Sequence, residues 1–307
     1  MNRTSRAPKA HKVKINLDML VSKKIMAELG DKQFSVLIDE SCDISVKEQM
    51  AVMLRFLNDE GKVVERFLAL HHVKDTTSNS LKDALYGILD HYKLSISRIR
   101  GQGYDGASNM REIFYVAIDK ICVEMDHRFS EGANCVLDCF SCLDPKGSFS
   151  KFNVDKLARL AKIYHEDFSN DDRGTIREQL LTYISQVKRH ASFSTCDDVQ
   201  SLAMKMVETK KNLVFPLVYK LIELALILPV STASVERAFS AMKIIKNKLR
   251  SKINNEWFND LMICYTERAL FKLVDDKDII RTFTSMKSRR GHLPLSSRMY
   301  GWCLMVV

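Results

Sequence analysis

The stretch FSVLID, residues 34–39, decides how this chain is expected to fold. It is a short apolar run that ends in a carboxylate, which is typical of a buried strand. Two similar runs follow, MAVMLRFL at 50–57 and VERFLALHHV at 64–73, and the turn signal NDEG at 58–61 separates them. Because the connections are short, we predict an antiparallel meander of three strands.

A helix and a fourth strand complete the predicted unit. Residues 78–92 place apolar side chains on one helical face, and SISRIRGQGYD at 95–105 is predicted to return as a strand. The order is then β-β-β-α-β, and a right-handed crossover returns the fourth strand parallel to the first. Asp39 and Asp105 each end a strand, so we expect their side chains to meet at the carboxyl edge of the sheet.

A third acid, Glu236, lies in the helix-like segment STASVERAFS, residues 231–240. Carboxylates are hard oxygen ligands that suit Mg²⁺ or Mn²⁺, and a pair of such ions clamps the attacking and leaving oxygens of a phosphodiester. Asp39, Asp105 and Glu236 are therefore candidate catalytic and metal-binding residues for chemistry on polynucleotides. Each acid also has a simpler explanation. Asp39 suits a turn or a helix cap, Asp105 a tight Asp-Gly turn, and Glu236 the first turn of a helix, where the dipole favours an acid.

Composition narrows the classes of partner and compartment. Lys and Arg number 47 against 38 Asp and Glu, and the net charge of +9 favours an anionic partner such as DNA, although many basic proteins bind none. Eight cysteines at irregular spacing, with no secretory signal at the N-terminus, indicate reduced thiols in the cytosol or nucleus. The cluster Lys287, Arg289 and Arg290 resembles a nuclear-targeting signal, so we expect the nucleus.

From about residue 111 the apolar pattern becomes helical. The longest apolar stretch, residues 213–229, contains Lys220 and Glu223, so we predict a buried helix there and no membrane partner. Further periodic segments predict helices at 113–129, 154–168, 174–190, 198–209 and 255–273, and residues 17–29 predict a lead-in helix.

The three acidic segments together resemble the transposases of the hAT superfamily, the Activator-like elements. LIDESCDIS at 37–45 and GYDGASNM at 103–110 resemble the first two acidic blocks, and LPVSTASVERAFSAMKIIKNKLRSKI at 228–253 resembles the C-terminal block. The resemblance implies an RNase H-like core of the DDE type, in which the three acids bind the metal ions. The expected fold class is therefore mixed α/β, with a β-β-β-α-β core followed by a mostly helical C-terminal half.

The C-terminal block of that superfamily begins a dimerisation region, and EWFNDLMICYTERALF at 256–271 continues it here. The resemblance implies pairing with a second copy or with related hAT proteins. The apolar residues predicted to form the dimer surface are Leu217, Leu221, Leu224, Phe239, Trp257, Phe258, Leu261, Met262 and Tyr265.

Basic residues follow Glu236 where a DNA backbone would lie in an intact nuclease. Phosphate contacts give affinity without reading sequence, and such binding weakens steeply with salt. The alternative is a solvated helix face. The predicted nucleic-acid-binding residues are Arg237, Lys243, Lys246, Lys248, Arg250 and Lys252.

The chain also departs from the family pattern. No Cys-x-x-Cys with paired histidines precedes residue 42, so we expect the BED-type zinc finger to be absent. The gap of 131 residues between Asp105 and Glu236 is shorter than the family's, so we expect one core strand and most of a helical insertion to be missing. A missing strand would open a sheet edge and leave the Glu236 helix poorly held.

These departures predict a truncated, domesticated transposase in which catalysis is lost, with no metal cofactor and no small-molecule substrate. The alternative is an active DDE-type transposase or nuclease that uses Mg²⁺ or Mn²⁺. The expected division is a basic flexible arm, the first part of the core, a helical remnant of the insertion, the dimerisation region and a tail, at residues 1–16, 17–112, 113–210, 211–275 and 276–307.

Overall fold

The protein contains a four-stranded mixed sheet in the strand order β3-β2-β1-β4. The structure, a computed structural model, describes residues 17–103, 132–229, 233–248 and 251–285. The strands are β1 (Phe34–Cys42), β2 (Glu48–Leu57), β3 (Val63–His72) and β4 (Ile99–Gly103). β1, β2 and β3 pair antiparallel, and β4 pairs parallel with β1. The predicted β-β-β-α-β order and the parallel return are confirmed.

Thirteen helices lie in the described ranges, and eleven of them follow the sheet. They are α1 (Leu17–Leu29), α2 (Ser78–His91), α3 (Gly132–Ser141), α4 (Lys146–Phe149), α5 (Val154–Ile163), α6 (Asn170–Val187), α7 (Val199–Glu208), α8 (Lys211–Val214), α9 (Pro216–Ile227), α10 (Ala233–Ile245), α11 (Asn255–Thr266), α12 (Arg268–Phe271) and α13 (Asp276–Ser285). The predicted helix at 113–129 lies outside the described residues.

Two predicted elements are shorter than expected, because side chains make other bonds there. The fourth strand begins at Ile99, since the Ser95 hydroxyl accepts from the Ser97 N–H and caps a short 3-10 turn. The helix predicted at 255–273 breaks after Thr266, where the carboxylate of Glu267 accepts a hydrogen bond from the backbone of β3.

Each face of the sheet is covered by helices. On one face, α2 packs Leu81, Leu85, Ile88 and Leu89 against the strands, which is the face that its apolar spacing predicts. On the other face, helices α1, α10 and α11 cover side chains that include Leu37, Ala51 and Met53. Burial of apolar area at about 25 cal/mol per Å² is the main stabilising term for both layers.

Helices α3, α5, α6, α7 and α9 form a further core beside the sheet. Its centre includes Leu221 and Ile222 of α9, so the buried helix predicted within 213–229 is confirmed. Arg100 of β4 joins this core to the sheet through a buried pair with Asp167, with Nε–Oδ2 at 2.6 Å and Nη2–Oδ1 at 2.7 Å. In the described part of the chain, no helix combines the length and apolar character needed to cross a membrane.

Helix α11 closes the outer edge of the sheet at β3. The Phe67 N–H donates to Glu267 Oε1 at 2.6 Å, and the Leu70 N–H donates to Asn259 Oδ1 at 2.7 Å. Free strand edges invite pairing with other chains, and these two side chains occupy groups that would otherwise do so. The segment around α11 therefore protects this edge of the sheet.

Candidate functional site

Asp39 lies near the carboxyl end of β1 and is 7% exposed. It pairs across the sheet with Ala51 and lies two positions after Leu37, so it points to the same face as Leu37, which α10 covers. Its Oδ1 accepts a hydrogen bond from the Glu40 N–H at 2.8 Å. The first acid is thus held on a rigid strand, on the side of the sheet where the third acidic block packs.

Asp105 lies outside the described residues, two positions beyond the end of β4. The last residue of β4, Gly103, pairs in parallel with Leu37, which is two positions before Asp39. The register therefore places β4, which leads into the second acidic block, beside β1, which carries the first, up to Gly103. The meeting of the Asp39 and Asp105 side chains stays a prediction.

Pro229, at the start of the C-terminal block, packs against strand β4. A Cβ atom at Gly101 would lie 2.8 Å from Pro229 Cδ and 2.6 Å from Ser35 Oγ. One at Gly103 would lie 2.9 Å from Pro229 Cβ and 2.8 Å from Leu37 Cδ2. The glycines of GQG thus let Pro229 sit directly on β4, a role that the sequence pattern did not indicate.

Glu236 lies in the first turn of α10 and is exposed. The same helix buries Val235 and Ala238 completely against the sheet, so the expectation that it is poorly held is wrong. Its apolar stripe supplies this contact within the described residues. Helix α10 therefore lies on the sheet face that Asp39 occupies, with the Glu236 side chain exposed.

A metal site built from all three acids is not tested, because Asp105 lies outside the described residues. Among the residues that are described, no three His, Cys, Asp or Glu side chains are grouped to hold a metal ion. Cys139 and Cys142 are buried in the helical core, and burial raises the pKa of Cys142.

Lys246 is not available to a DNA phosphate in this structure, which corrects its predicted role. Its side chain is buried, and its Nζ lies 2.6 Å from Asp43 Oδ2 and 5.0 Å from the ring centre of Phe258. Burial opposes ionisation of Asp43, but hydrogen bonds from Lys246, the Ser45 N–H and Gln49 lower its pKa. The pair fixes the β1–β2 turn to the end of α10.

The other basic residues differ in position. Lys243, Lys248 and Lys252 are exposed, and Arg250 lies outside the described residues. Arg237 is exposed as well, but it lines a cleft beside β2 and β3. Lys243 lies six positions after Arg237. At 3.6 residues per turn, the two side chains are therefore roughly 120° apart around the helix.

Most of the residues predicted for the dimer surface lie in the core of a single chain. Leu217, Leu221 and Leu224 belong to the helical core, and Phe239, Phe258 and Met262 belong to the core between α10, α11 and the sheet. Three are half-buried, namely Trp257, Leu261 and Tyr265. A helical pattern shows which face is apolar, but it does not show whether the same chain or a second one covers that face.

Two segments of the chain match described families. Residues 10–115 match the ZMYM1/FAM200, RNase-like domain, and they include the whole sheet and α2. Residues 182–270 match the hAT family C-terminal dimerisation region, which therefore begins within α6 and earlier than the predicted boundary at 211. In sequence order, then, the chain matches an RNase-like domain and a hAT C-terminal dimerisation region, a combination consistent with a hAT-related, transposase-derived protein.

Proposed function

We propose that this protein is a transposase-derived nuclear protein that self-associates through its C-terminal region, binds DNA through exposed lysines, and has lost catalysis. The observation that carries the proposal is the placement of the basic run on the dimerisation region. Lys243, Lys248 and Lys252 are exposed there, while Ala241, Met242 and Ile245 of α10 are buried in the fold.

Self-association would use the apolar side chains that this region leaves accessible. Half-buried Trp257, Leu261 and Tyr265 lie on α11, and Leu213 and Val214 are 74% and 57% exposed on α8. All five lie within the matched residues 182–270. The partner is a second copy of the chain or a related hAT protein.

DNA binding would be electrostatic and independent of sequence. Each phosphate neutralised by a lysine releases counterions, so the logarithm of affinity falls with the logarithm of salt by about 0.9 per contact. The basic cluster at Lys287, Arg289 and Arg290 supports a nuclear location, where DNA is the abundant polyanion.

Fluorescence anisotropy with a labelled duplex across a salt series tests this interface. Substitution of Lys243, Lys248 and Lys252 together by glutamine is expected to weaken binding at low salt. It should also reduce the slope of log affinity against log salt concentration by about 2 to 3 in magnitude. The matched control removes the same three charges from exposed positions elsewhere, at Lys74, Lys93 and Lys162. Equal losses in both triple variants would show that only net charge matters.

The second candidate function is an active DDE-type nuclease or transposase. The observation that favours it is the packing of Pro229 on β4, which brings the start of the third acidic block to the strand that leads into the second. Asp39 and Glu236, with Asp105, are oxygen ligands of the kind that Mg²⁺ or Mn²⁺ takes. Bound ions would stabilise charge on the attacking and leaving oxygens of a phosphodiester.

Incubation of the purified chain with Mn²⁺ and labelled duplex separates the two candidates. Cleavage that Asp39→Asn abolishes would establish the enzyme and overturn our proposal of lost catalysis. Intact duplex, in a preparation that binds DNA and unfolds cooperatively, is the result we expect.

A further inference from the structure

The β1–β2 turn, residues 43–47, is closed by hydrogen bonds to the carboxylate of its first residue. Asp43 Oδ1 accepts from the Ser45 N–H at 2.6 Å and from the Lys47 N–H at 3.4 Å. Its Oδ2 accepts from Gln49 Nε2 at 2.8 Å. The Asp43 N–H in turn donates to the Lys47 carbonyl at 2.9 Å. These bonds hold the backbone of the turn in one conformation.

The same turn is bonded to the C-terminal block at every second position. The buried pair with Lys246 anchors its first residue. The Ser45 hydroxyl donates to the Ser251 carbonyl at 3.1 Å, and Lys47 Nζ lies 3.4 Å from Asn255 Oδ1. The two positions between these anchors are left to face solvent.

Both of the outward positions carry branched apolar side chains. Ile44 is 48% exposed and Val46 is 85% exposed. Val46 also has a φ of 57°, in the left-handed region that a β-branched residue rarely adopts and that Gly or Asn adopts at lower cost. Folding gains little from a strained and solvated valine. Backbone outliers of this kind cluster at functional sites, so the two side chains are candidates for contact with a partner.

Exposed cations flank these two side chains. Lys47 belongs to the turn, Lys252 directly follows the anchor at position 251, and Lys243 lies one helical turn before the anchor at position 246. Two acids lie nearby in sequence, half-buried Glu48 and exposed Glu256. The exposed groups named here therefore carry a net positive charge, and the favoured partner is an anion.

Duplex DNA combines the two properties that this surface needs in a partner. Its phosphates accept contacts from lysines, and its stacked bases admit apolar side chains that wedge between base steps. A second copy of the chain fits less well, because a symmetric contact through this surface would place the lysines of one copy against those of the other.

We propose that the β1–β2 turn is an apolar wedge that inserts Ile44 and Val46 at a base step of duplex DNA, while Lys47, Lys243 and Lys252 contact the flanking phosphates. This inference rests on the proposed DNA interface and adds a base-contacting element to it. A turn already held by its own hydrogen bonds loses little conformational freedom on binding, which favours insertion.

A duplex that carries 2-aminopurine at a TA step tests the wedge. This base brightens when it unstacks, and TA steps unstack at low cost. We expect wild type to raise the fluorescence. The double variant Ile44→Ser, Val46→Asn should abolish the rise and weaken binding about tenfold, the loss expected when a branched side chain no longer leaves water.

The dependence on salt separates the wedge from the lysines. The slope of log affinity against log salt concentration should be the same in the double variant as in wild type, because its phosphate contacts remain. Leu137→Ser is the matched control, since it removes another exposed apolar side chain, on α3, and should leave affinity, slope and fluorescence unchanged.

Val46→Asn alone separates binding from folding. Asparagine tolerates the left-handed region, so the melting temperature is expected to stay the same or to rise while affinity falls. A lower melting temperature with unchanged affinity would give the valine a purely structural role and contradict the assignment.

The remaining outcomes distinguish this inference from the proposed function. Equal binding by wild type and the double variant, or no brightening in wild type, overturns the wedge and leaves the lysine interface standing. Failure of wild type to bind duplex at low salt removes both. Tighter binding of an acidic, leucine-containing peptide than of duplex, lost in the double variant, would assign the turn to a protein partner and overturn the proposal.

Discussion

At the scale of single residues, Glu223 on α9 couples stability to pH. It lines a small cavity between the sheet and the helical core, where burial raises its pKa to about 7, against the opposing effect of Lys220 and Lys32. A raised folded pKa means that its contribution is fully present below the unfolded value near 4.5 and is lost as pH rises through about 7.

We therefore expect wild type to lose stability relative to Glu223→Gln between pH 5 and pH 8, by up to about 3 kcal/mol. Urea unfolding of both proteins at the two pH values measures the difference. The exposed Glu178→Gln on α6 is the control and should follow wild type. Parallel pH profiles for wild type and Glu223→Gln would contradict the assignment.

The buried Lys246–Asp43 pair gives a second prediction at this scale. Loss of one partner leaves a buried charge uncompensated, so Lys246→Met should destabilise the fold by about 3 to 5 kcal/mol. The exposed Lys248→Met should change stability by less than about 0.5 kcal/mol. Chemical unfolding measures both. A stable Lys246→Met protein with weakened DNA binding would restore the original sequence-based role of this lysine.

At the scale of elements, the contact of Pro229 with β4 determines how the C-terminal block sits on the sheet. Gly101→Ala should destabilise the fold by about 1 to 3 kcal/mol, because the new methyl group overlaps Pro229 Cδ and Ser35 Oγ. Pro229→Ala removes the Cδ atom and should recover part of that loss in the double variant.

Gly174 on α6 is the matched control for this experiment. A Cβ atom there meets nothing within 4 Å, so Gly174→Ala should stabilise the helix by up to about 1 kcal/mol. Additive effects of Gly101→Ala and Pro229→Ala, measured by thermal unfolding, would mean that the two residues do not press on each other.

At the scale of the whole molecule, we predict a dimer at micromolar concentration. Substitution of Trp257 and Leu261 by glutamate places charge on the half-buried face of α11. Sedimentation velocity should then show monomers. Leu181→Glu, on an exposed leucine just outside the matched dimerisation region, should remain dimeric. A monomeric wild type at that concentration would remove self-association from the proposed function.

Much of the sheet was predictable from the sequence, because strand order follows from local rules. Short connections make β1, β2 and β3 antiparallel, and the handedness of the crossover returns β4 beside β1. The apolar spacing of α2 likewise identified its buried face. These features depend on residues close in sequence, or on a rule that holds for most folds.

The site was less predictable, because its contacts join residues far apart in the chain. Lys246 belongs to a basic run, and nothing in that run indicates that Asp43, 203 positions earlier, pairs with it. The cleft around Arg237 depends on four elements meeting. Apolar periodicity also marked Phe258 and Met262 as a contact surface without showing that their own chain covers it.

The bonds from Asn259 and Glu267 to strand β3 have a consequence for how the protein is divided in experiments. A fragment containing only residues 10–115 keeps the four described strands but loses both acceptors, so two backbone amides of β3 lose their hydrogen-bond partners. We expect such a fragment to stack through that strand and precipitate, whereas the intact chain stays soluble. Shortening the chain to isolate its RNase-like part would thus remove its protection against aggregation.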